Sequence, residues 1–145
     1  MNTRLLLTFS LLAIFVFTQK SYARNNDMSH DPALKKITIS DPEQKLVLQL
    51  DYSNGCKITQ LNVKGKNVLS ESGIYTGFST KAGLFNSTVS AEEVKAEKSG
   101  NKISINNIIY GDQSINVNES WSFELVGNKI VWKISRKYSN LAKLE

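Results

Sequence analysis

The chain has 145 residues, a formal net charge of +5, one cysteine and one histidine. A single cysteine excludes an internal disulfide, and this inventory also excludes the common zinc sites and the catalytic triads that use histidine. The basic residues are scattered singly apart from Lys35-Lys36 and Arg136-Lys137. Because no basic stripe with interleaved aromatics is present, the sequence does not predict nucleic-acid binding.

The N-terminal residues have the pattern of an export signal. Residues 1–23 combine a basic Arg4, a mostly apolar run over residues 5–17, and a small-residue cleavage site that ends at Ala23. The run is shorter than the roughly 20 residues of a membrane-spanning helix, so we expect a cleaved signal peptide and no stable membrane anchor. Export to the periplasm or the extracellular space follows, with the fold held by its apolar core.

The rest of the chain has about the length of one domain. Residues 24–36 are polar, contain Pro32 and His30, and show no sustained period, which predicts a flexible lead-in. From residue 37 onward, short apolar runs alternate with Gly, Asn, Ser and Lys clusters. No helical period persists there, so the pattern predicts one all-β domain over residues 37–145.

Several strands are predicted before the C-terminal part of the chain. They lie at residues 36–40, 45–52, 56–63, 74–80 and 102–109. Two glycines in residues 74–80 weaken that strand or mark a bulge. Residues 91–98 (AEEVKAEK) have a helix-forming composition but only one good apolar anchor, Val94. A helix and an exposed strand therefore both remain open for this segment.

The clearest pattern is a hairpin over residues 117–138, which hold both tryptophans. A strict period of two gives each strand one apolar face: Val117, Glu119, Trp121, Phe123 and Leu125 on the first, and Ile130, Trp132, Ile134, Arg136 and Tyr138 on the second. A two-residue Gly127-Asn128 loop is a favoured hairpin connection, because both residues accept positive φ.

This loop fixes the register of the hairpin. It places Phe123 opposite Trp132 and Glu119 opposite Arg136, so the two charges on the apolar face are opposite in sign and cross-strand neighbours. A slip of one residue would break every match. We therefore interpret Trp121, Trp132 and Phe123 as core residues rather than as a sugar-binding surface.

The apolar face of the hairpin requires a second sheet to cover it. The predicted architecture is an antiparallel β-sandwich of roughly seven to nine strands. An exposed apolar edge or face near residues 137–145 would indicate a fragment of a larger domain, whereas a closed sandwich with aromatics lining a groove would indicate a binding module.

Carboxylate pairs are the remaining catalytic option, because glycoside hydrolysis needs two carboxyl groups about 5 to 10 Å apart. Glu92 and Glu93 are neighbours in a polar patch, which is typical of a solvated surface. Asp51 and Asp112 lie beside predicted turns, where short polar side chains bond the backbone. No pair is convincing, so we expect no catalytic residue, no metal and no cofactor, and interpret the chain as noncatalytic by itself.

Aromatic residues outside the hairpin are candidates for glycan binding, since aromatic rings stack on the apolar faces of sugars. Tyr75, Phe78, Phe85 and Tyr110 lie in or near glycine-containing or loop-like segments. These four residues are the predicted carbohydrate-binding site. The competing interpretation is that they complete the core.

The order of these elements resembles a known family. The LDYSNG turn, the NVKGKNVL hairpin and the ESWSFEL…IVWKISRKY pair are similar to the galactose-mutarotase-like β-sandwich, or supersandwich, that precedes the (α/α) barrel in bacterial exported glycoside hydrolases. The resemblance covers most of residues 37–138 and includes no catalytic motif. The chain departs from the family pattern because no barrel helices follow.

The resemblance implies a glycan-degrading enzyme whose catalytic acids lie in a downstream domain. On that basis this chain is an incomplete supersandwich that contributes structure to an exported glycoside hydrolase. The alternative is a stand-alone carbohydrate-binding or surface-adhesion module with a glycan as its partner.

Overall fold

The structure is a computed structural model that describes residues 27–140. The predicted signal peptide and its cleavage site lie outside these residues. The described chain is all-β with antiparallel sheets, which confirms the predicted fold class. It has eleven strands in the described part, more than the seven to nine predicted. Residues 27–140 include no helix with the length and apolar character that a membrane crossing requires.

The strands form two sheets and a small hairpin. The first sheet contains, in spatial order, β1 (Asp27–Asp31), β2 (Lys36–Ser40), β3 (Leu46–Asp51), β4 (Lys57–Val63) and β5 (Lys66–Asn67). The hairpin consists of β6 (Gly77–Thr80) and β7 (Gly83–Asn86). The second sheet contains β8 (Lys95–Ser99), β9 (Lys102–Gly111), β10 (Asn116–Val126) and β11 (Lys129–Tyr138). Each strand pairs with its neighbour in the chain, so both sheets are antiparallel meanders.

The core lies where apolar residues of both sheets meet. The first sheet contributes buried Ile37, Ile39, Leu48, Leu50 and Ile58, and the second contributes buried Ile103, Ile105, Val117, Trp121, Phe123 and Leu125. These side chains belong to one contiguous cluster, which is the arrangement of a β-sandwich. Each large side chain removed from water contributes about 1.5 to 3 kcal/mol.

The register predicted for the C-terminal hairpin is confirmed. Phe123 faces Trp132 and Glu119 faces Arg136 across β10 and β11, and the pairing runs from one end to the other without a shift. In the loop, Gly127 has φ +59°, whereas Asn128 is not among the residues with positive φ. A positive φ at only the first loop position is the pattern of a type II′ turn.

The prediction of a flexible lead-in over residues 24–36 is wrong for its described part. β1 pairs with β2 over its whole length, and Met28 is only 3 % exposed. His30 Nε2 lies 2.6 Å from the Tyr52 hydroxyl. β1 is an edge strand with one face toward solvent, so Met28 is its main apolar anchor. The polar composition of the other residues therefore gives no strand pattern in the sequence.

The segment at residues 91–98 resolves in favour of a strand. β8 begins at Lys95, and the preceding Val94 is 4 % exposed. The predicted strand over residues 74–80 begins only at Gly77, and Ile74 makes an isolated antiparallel bridge to Ile58. The sequence does not predict β7, since its four residues, GLFN, are too few to show a period.

Candidate functional site

A buried carboxylate lies at the centre of the most connected polar cluster. Glu119, on β10, is fully buried. Its Oε2 accepts hydrogen bonds from Arg136 Nε at 2.5 Å and from the Tyr110 hydroxyl at 2.9 Å, and its Oε1 accepts from Thr76 Oγ1 and Trp121 Nε1. With both oxygens satisfied and no solvent access, this carboxylate is positioned for structure rather than for catalysis.

The predicted pair of Glu119 and Arg136 is therefore present as an ion pair. Burial disfavours the charge of Arg136, but the hydrogen bond and the charge of Glu119 outweigh it and raise the pKa of the guanidinium. Burial is also the main cause that raises the pKa of the Tyr110 hydroxyl above its usual value. Both groups therefore keep the protons that they donate to Glu119. No local pattern predicts Thr76 as a partner of Glu119, because the two residues are 43 positions apart.

Three of the four predicted carbohydrate-binding residues come together as a packed cluster. The Phe78 ring lies 5.5 Å from Phe85, 5.7 Å from Tyr110 and 6.0 Å from Tyr138, measured between ring centroids. Tyr110 is 5 % exposed, so its ring offers almost no surface for stacking. Tyr75, which has no ring contact to this cluster in the described structure, is 42 % exposed.

The two tryptophans share one face of the sheet, but they differ in burial. Trp121 and Phe123 are 1 % and 0 % exposed, as expected for core residues. The centroid of the Trp132 ring lies 4.8 Å from that of Trp121 and 5.7 Å from that of Phe123, on which it stacks. Trp132 is nevertheless only partly buried. The predicted core assignment therefore holds for Trp121 and Phe123 and only in part for Trp132, because β11 is the edge strand of its sheet.

A groove lies where β7 and the loop after it approach the end of β9. It consists of two adjoining cavities of about 310 and 350 Å³ that share Ala91, Ile109, Tyr110 and Gly111. Leu84 and Val89 form apolar walls of the first cavity, and Gln113 and Asn116 provide amides in the second. Apolar walls with nearby amides can contact a sugar ring and bond its hydroxyl groups.

The groove does not have the groups of a hydrolytic centre. Asp112 is the one carboxylate among the residues that line the two cavities, whereas glycoside hydrolysis needs a pair. Within residues 27–140, no group of three or more His, Cys, Asp or Glu side chains gathers as a metal site would require. Cys56 is 1 % exposed, and burial raises the pKa of its thiol, so it is not a reactive nucleophile.

The two edges of the second sheet, β8 and β11, differ in their contacts with the rest of the described chain. On one side, Lys98 Nζ donates a hydrogen bond to the Met28 carbonyl, and Lys35 Nζ lies 3.0 Å from Glu93 Oε1, so contacts connect β1 and the turn after it to the region of β8. The opposite end of the second sheet is β11, which pairs only with β10 in the described chain.

The face that β11 turns toward the core is incompletely covered. Ile134 is 41 % exposed although its cross-strand partner, Trp121, is buried. Trp132, on the same face, is only partly buried. Part of the apolar face of the hairpin, on β11, is therefore not covered by other residues of the described chain. This exposed part of β11 is the second candidate site.

Comparisons of the chain with protein-family models, with curated proteins and with solved structures found no match.

Proposed function

We propose that this chain is a noncatalytic β-sandwich domain, or a fragment of one, from an exported glycoside hydrolase that acts on glycans. In this proposal the sandwich is an incomplete supersandwich, and the catalytic carboxylates belong to a downstream domain. The observation that carries the proposal is the exposed apolar face of β11, where Ile134 is 41 % exposed opposite a buried tryptophan. A surface of this kind favours contact with another part of a larger protein.

The absence of paired carboxylates in the groove also supports a noncatalytic role for the chain itself. The signal pattern over residues 1–23 supports export. A structural domain needs stability rather than reactive groups, and the fully bonded Glu119 is consistent with that need.

Co-purification tests this proposal. The tagged full-length chain is produced in the cells of origin and recovered from the exported fraction, and the eluate is assayed for polysaccharide hydrolysis. We expect hydrolase activity to accompany the wild-type chain and to be lost with Ile134→Asp. The matched control is Leu34→Asp, which places the same charge at a residue that is 62 % exposed near the other edge. Recovery of a folded chain without hydrolase activity would contradict the proposal.

The second candidate function is a stand-alone carbohydrate-binding or surface-adhesion module, and the groove is the observation that favours it. Exposed Leu84 and Val89 supply apolar contact, and Gln113 and Asn116 supply amides. Affinity electrophoresis of the mature chain in gels that contain polysaccharides tests this function. We expect any retardation to disappear in Gln113→Ala/Asn116→Ala and to persist in Tyr75→Ala. Migration unaffected by every polysaccharide would rule out this second function.

A further inference from the structure

Within residues 27–140, the edge of β11 that faces away from β10 pairs with no strand and presents a regular row of backbone groups. The Ser139 N–H bonds the Asn116 carbonyl at 2.9 Å, and the Leu125 N–H bonds the Asn101 carbonyl at 3.1 Å. The first bond shows that Asn116 and Ser139 form a hydrogen-bonded pair at the end of the β10–β11 ladder. The second shows that the Leu125 N–H points toward β9 and away from β11. Bonded and non-bonded pairs alternate in an antiparallel ladder. The outward groups therefore belong to Ile130, Trp132, Ile134, Arg136 and Tyr138.

The backbone of this edge is regular, and its protection against strand addition comes from charged side chains, Lys129, Lys133, Arg136 and Lys137. β11 has ten residues, includes neither proline nor glycine, and pairs with β10 without a bulge. By contrast, the β9–β10 and β3–β4 pairs each contain a register shift. Long regular edges with apolar residues are the edges that accept another strand.

The two faces of β11 specify the chemistry of an added strand. The inner face carries the exposed Ile134 and the partly buried Ile130 and Trp132, so the added strand needs apolar side chains on that side. The outer face carries Lys129, Lys133 and Lys137, all of them exposed. Acidic residues on the outer side of the added strand would be cross-strand partners of these lysines.

A second copy of this chain fits the edge poorly. Any antiparallel pairing of β11 with another β11 places the lysines of one strand opposite or diagonal to those of the other. Like charges at these positions destabilise a strand pair. The charge pattern therefore favours a partner with acidic residues over self-association.

We infer that β11 is a strand-addition site for an extended segment of a partner protein that alternates apolar residues with glutamate or aspartate. The inference rests on the proposed role of this edge as a contact surface, but it does not require that the partner be a glycoside hydrolase. Backbone bonds to Ile130, Trp132 and Ile134 would give affinity, and the three lysines would select the acidic segment.

The test uses the full chain and a ten-residue synthetic peptide that alternates glutamate with isoleucine and valine. A control peptide has lysine in place of glutamate. Binding is followed by tryptophan fluorescence, and amide exchange is measured by NMR. We expect the acidic peptide to bind at least tenfold more tightly than the basic one and to protect the amides of Ile130, Trp132 and Ile134.

Charge reversal supplies the matched variants. Lys133→Glu/Lys137→Glu should weaken binding of the acidic peptide about tenfold and strengthen binding of the basic one, since two favourable cross-strand pairs become repulsive. Lys64→Glu/Lys66→Glu makes the same change in net charge in β5 and the turn before it, and should leave both affinities unchanged. A peptide N-methylated along the edge that pairs with β11 should not bind, whereas methylation of its other edge should have no effect.

Three results would overturn the inference: no binding of either peptide, equal effects of the two charge reversals, or binding without protection of the β11 amides. Co-purified hydrolase activity without peptide binding would refute this inference and leave the proposed function standing. Peptide binding without co-purified hydrolase activity would refute the proposed function and leave this inference standing.

Discussion

Removing the positive partner of the buried carboxylate is the sharpest test of how the sandwich is held together. Arg136→Met keeps the apolar stem of the side chain and deletes the guanidinium that lies 2.5 Å from Glu119. Glu119 has no exposure, so its charge cannot be solvated in compensation. Breaking a buried ion pair by removing one partner costs about 3 to 5 kcal/mol.

The expected loss lies near the lower end of that range. The Arg136 side chain is 30 % exposed, so water can enter part of the space it leaves. Tyr110, Thr76 and Trp121 also continue to donate to the carboxylate. We expect a loss of about 3 kcal/mol in the free energy of unfolding, which for a domain of this size lowers Tm by about 10 °C or more.

Urea denaturation followed by tryptophan fluorescence measures this difference. The control is Lys137→Met, which removes the adjacent positive charge from the exposed outer face of β11 and should change stability by about 0.5 kcal/mol at most. If Arg136→Met costs no more than Lys137→Met, the ion pair is as weak as a surface pair. The assignment of a structural role to Glu119 would then be refuted.

Three further predictions concern other parts of the fold. Gly55→Ala should cost about 2 kcal/mol in urea denaturation, because its Cβ would collide with the Ser87 carbonyl; an unchanged midpoint would contradict this close approach. Burial raises the Tyr110 pKa, so the stability it contributes is complete below the usual pKa of about 10 and falls by up to about 1.4 kcal/mol per pH unit above it. Tyr110→Phe should reduce that alkaline slope in urea titrations, and an unaltered slope would count against the pKa shift. Acrylamide should quench Trp132 more strongly than the buried Trp121, so the Trp132→Phe variant should be quenched less than wild type; equal quenching would show that β11 is covered.

The C-terminal hairpin shows how far local pattern predicts structure. Residues 117–138 alternate without interruption around a Gly-Asn turn, so face and register followed from chain geometry alone, including the pair of Glu119 and Arg136. β1 shows the limit of the same reasoning. It is five residues long, sits at a sheet edge and has Met28 as its main anchor, so its place depended on pairing with β2.

The candidate sites depended even more on tertiary structure. The sequence indicated four aromatic residues for glycan binding, but it could not show that Phe78, Phe85 and Tyr110 pack against one another. The groove brings residues near position 85 together with residues near position 110, a proximity that no local pattern encodes.

The sequence by itself determined the all-β class, most strands of the two sheets and the register of the last hairpin, because alternation and turn residues act over a few neighbouring positions. Only the tertiary structure decided which apolar faces are covered. Trp121 and Ile134 follow the same alternation and are cross-strand partners, yet one is buried and the other is 41 % exposed. The physical reason is that burial depends on which side chains pack against a face of the sheet. In the described chain these side chains cover Trp121 on β10 but only part of the edge strand β11.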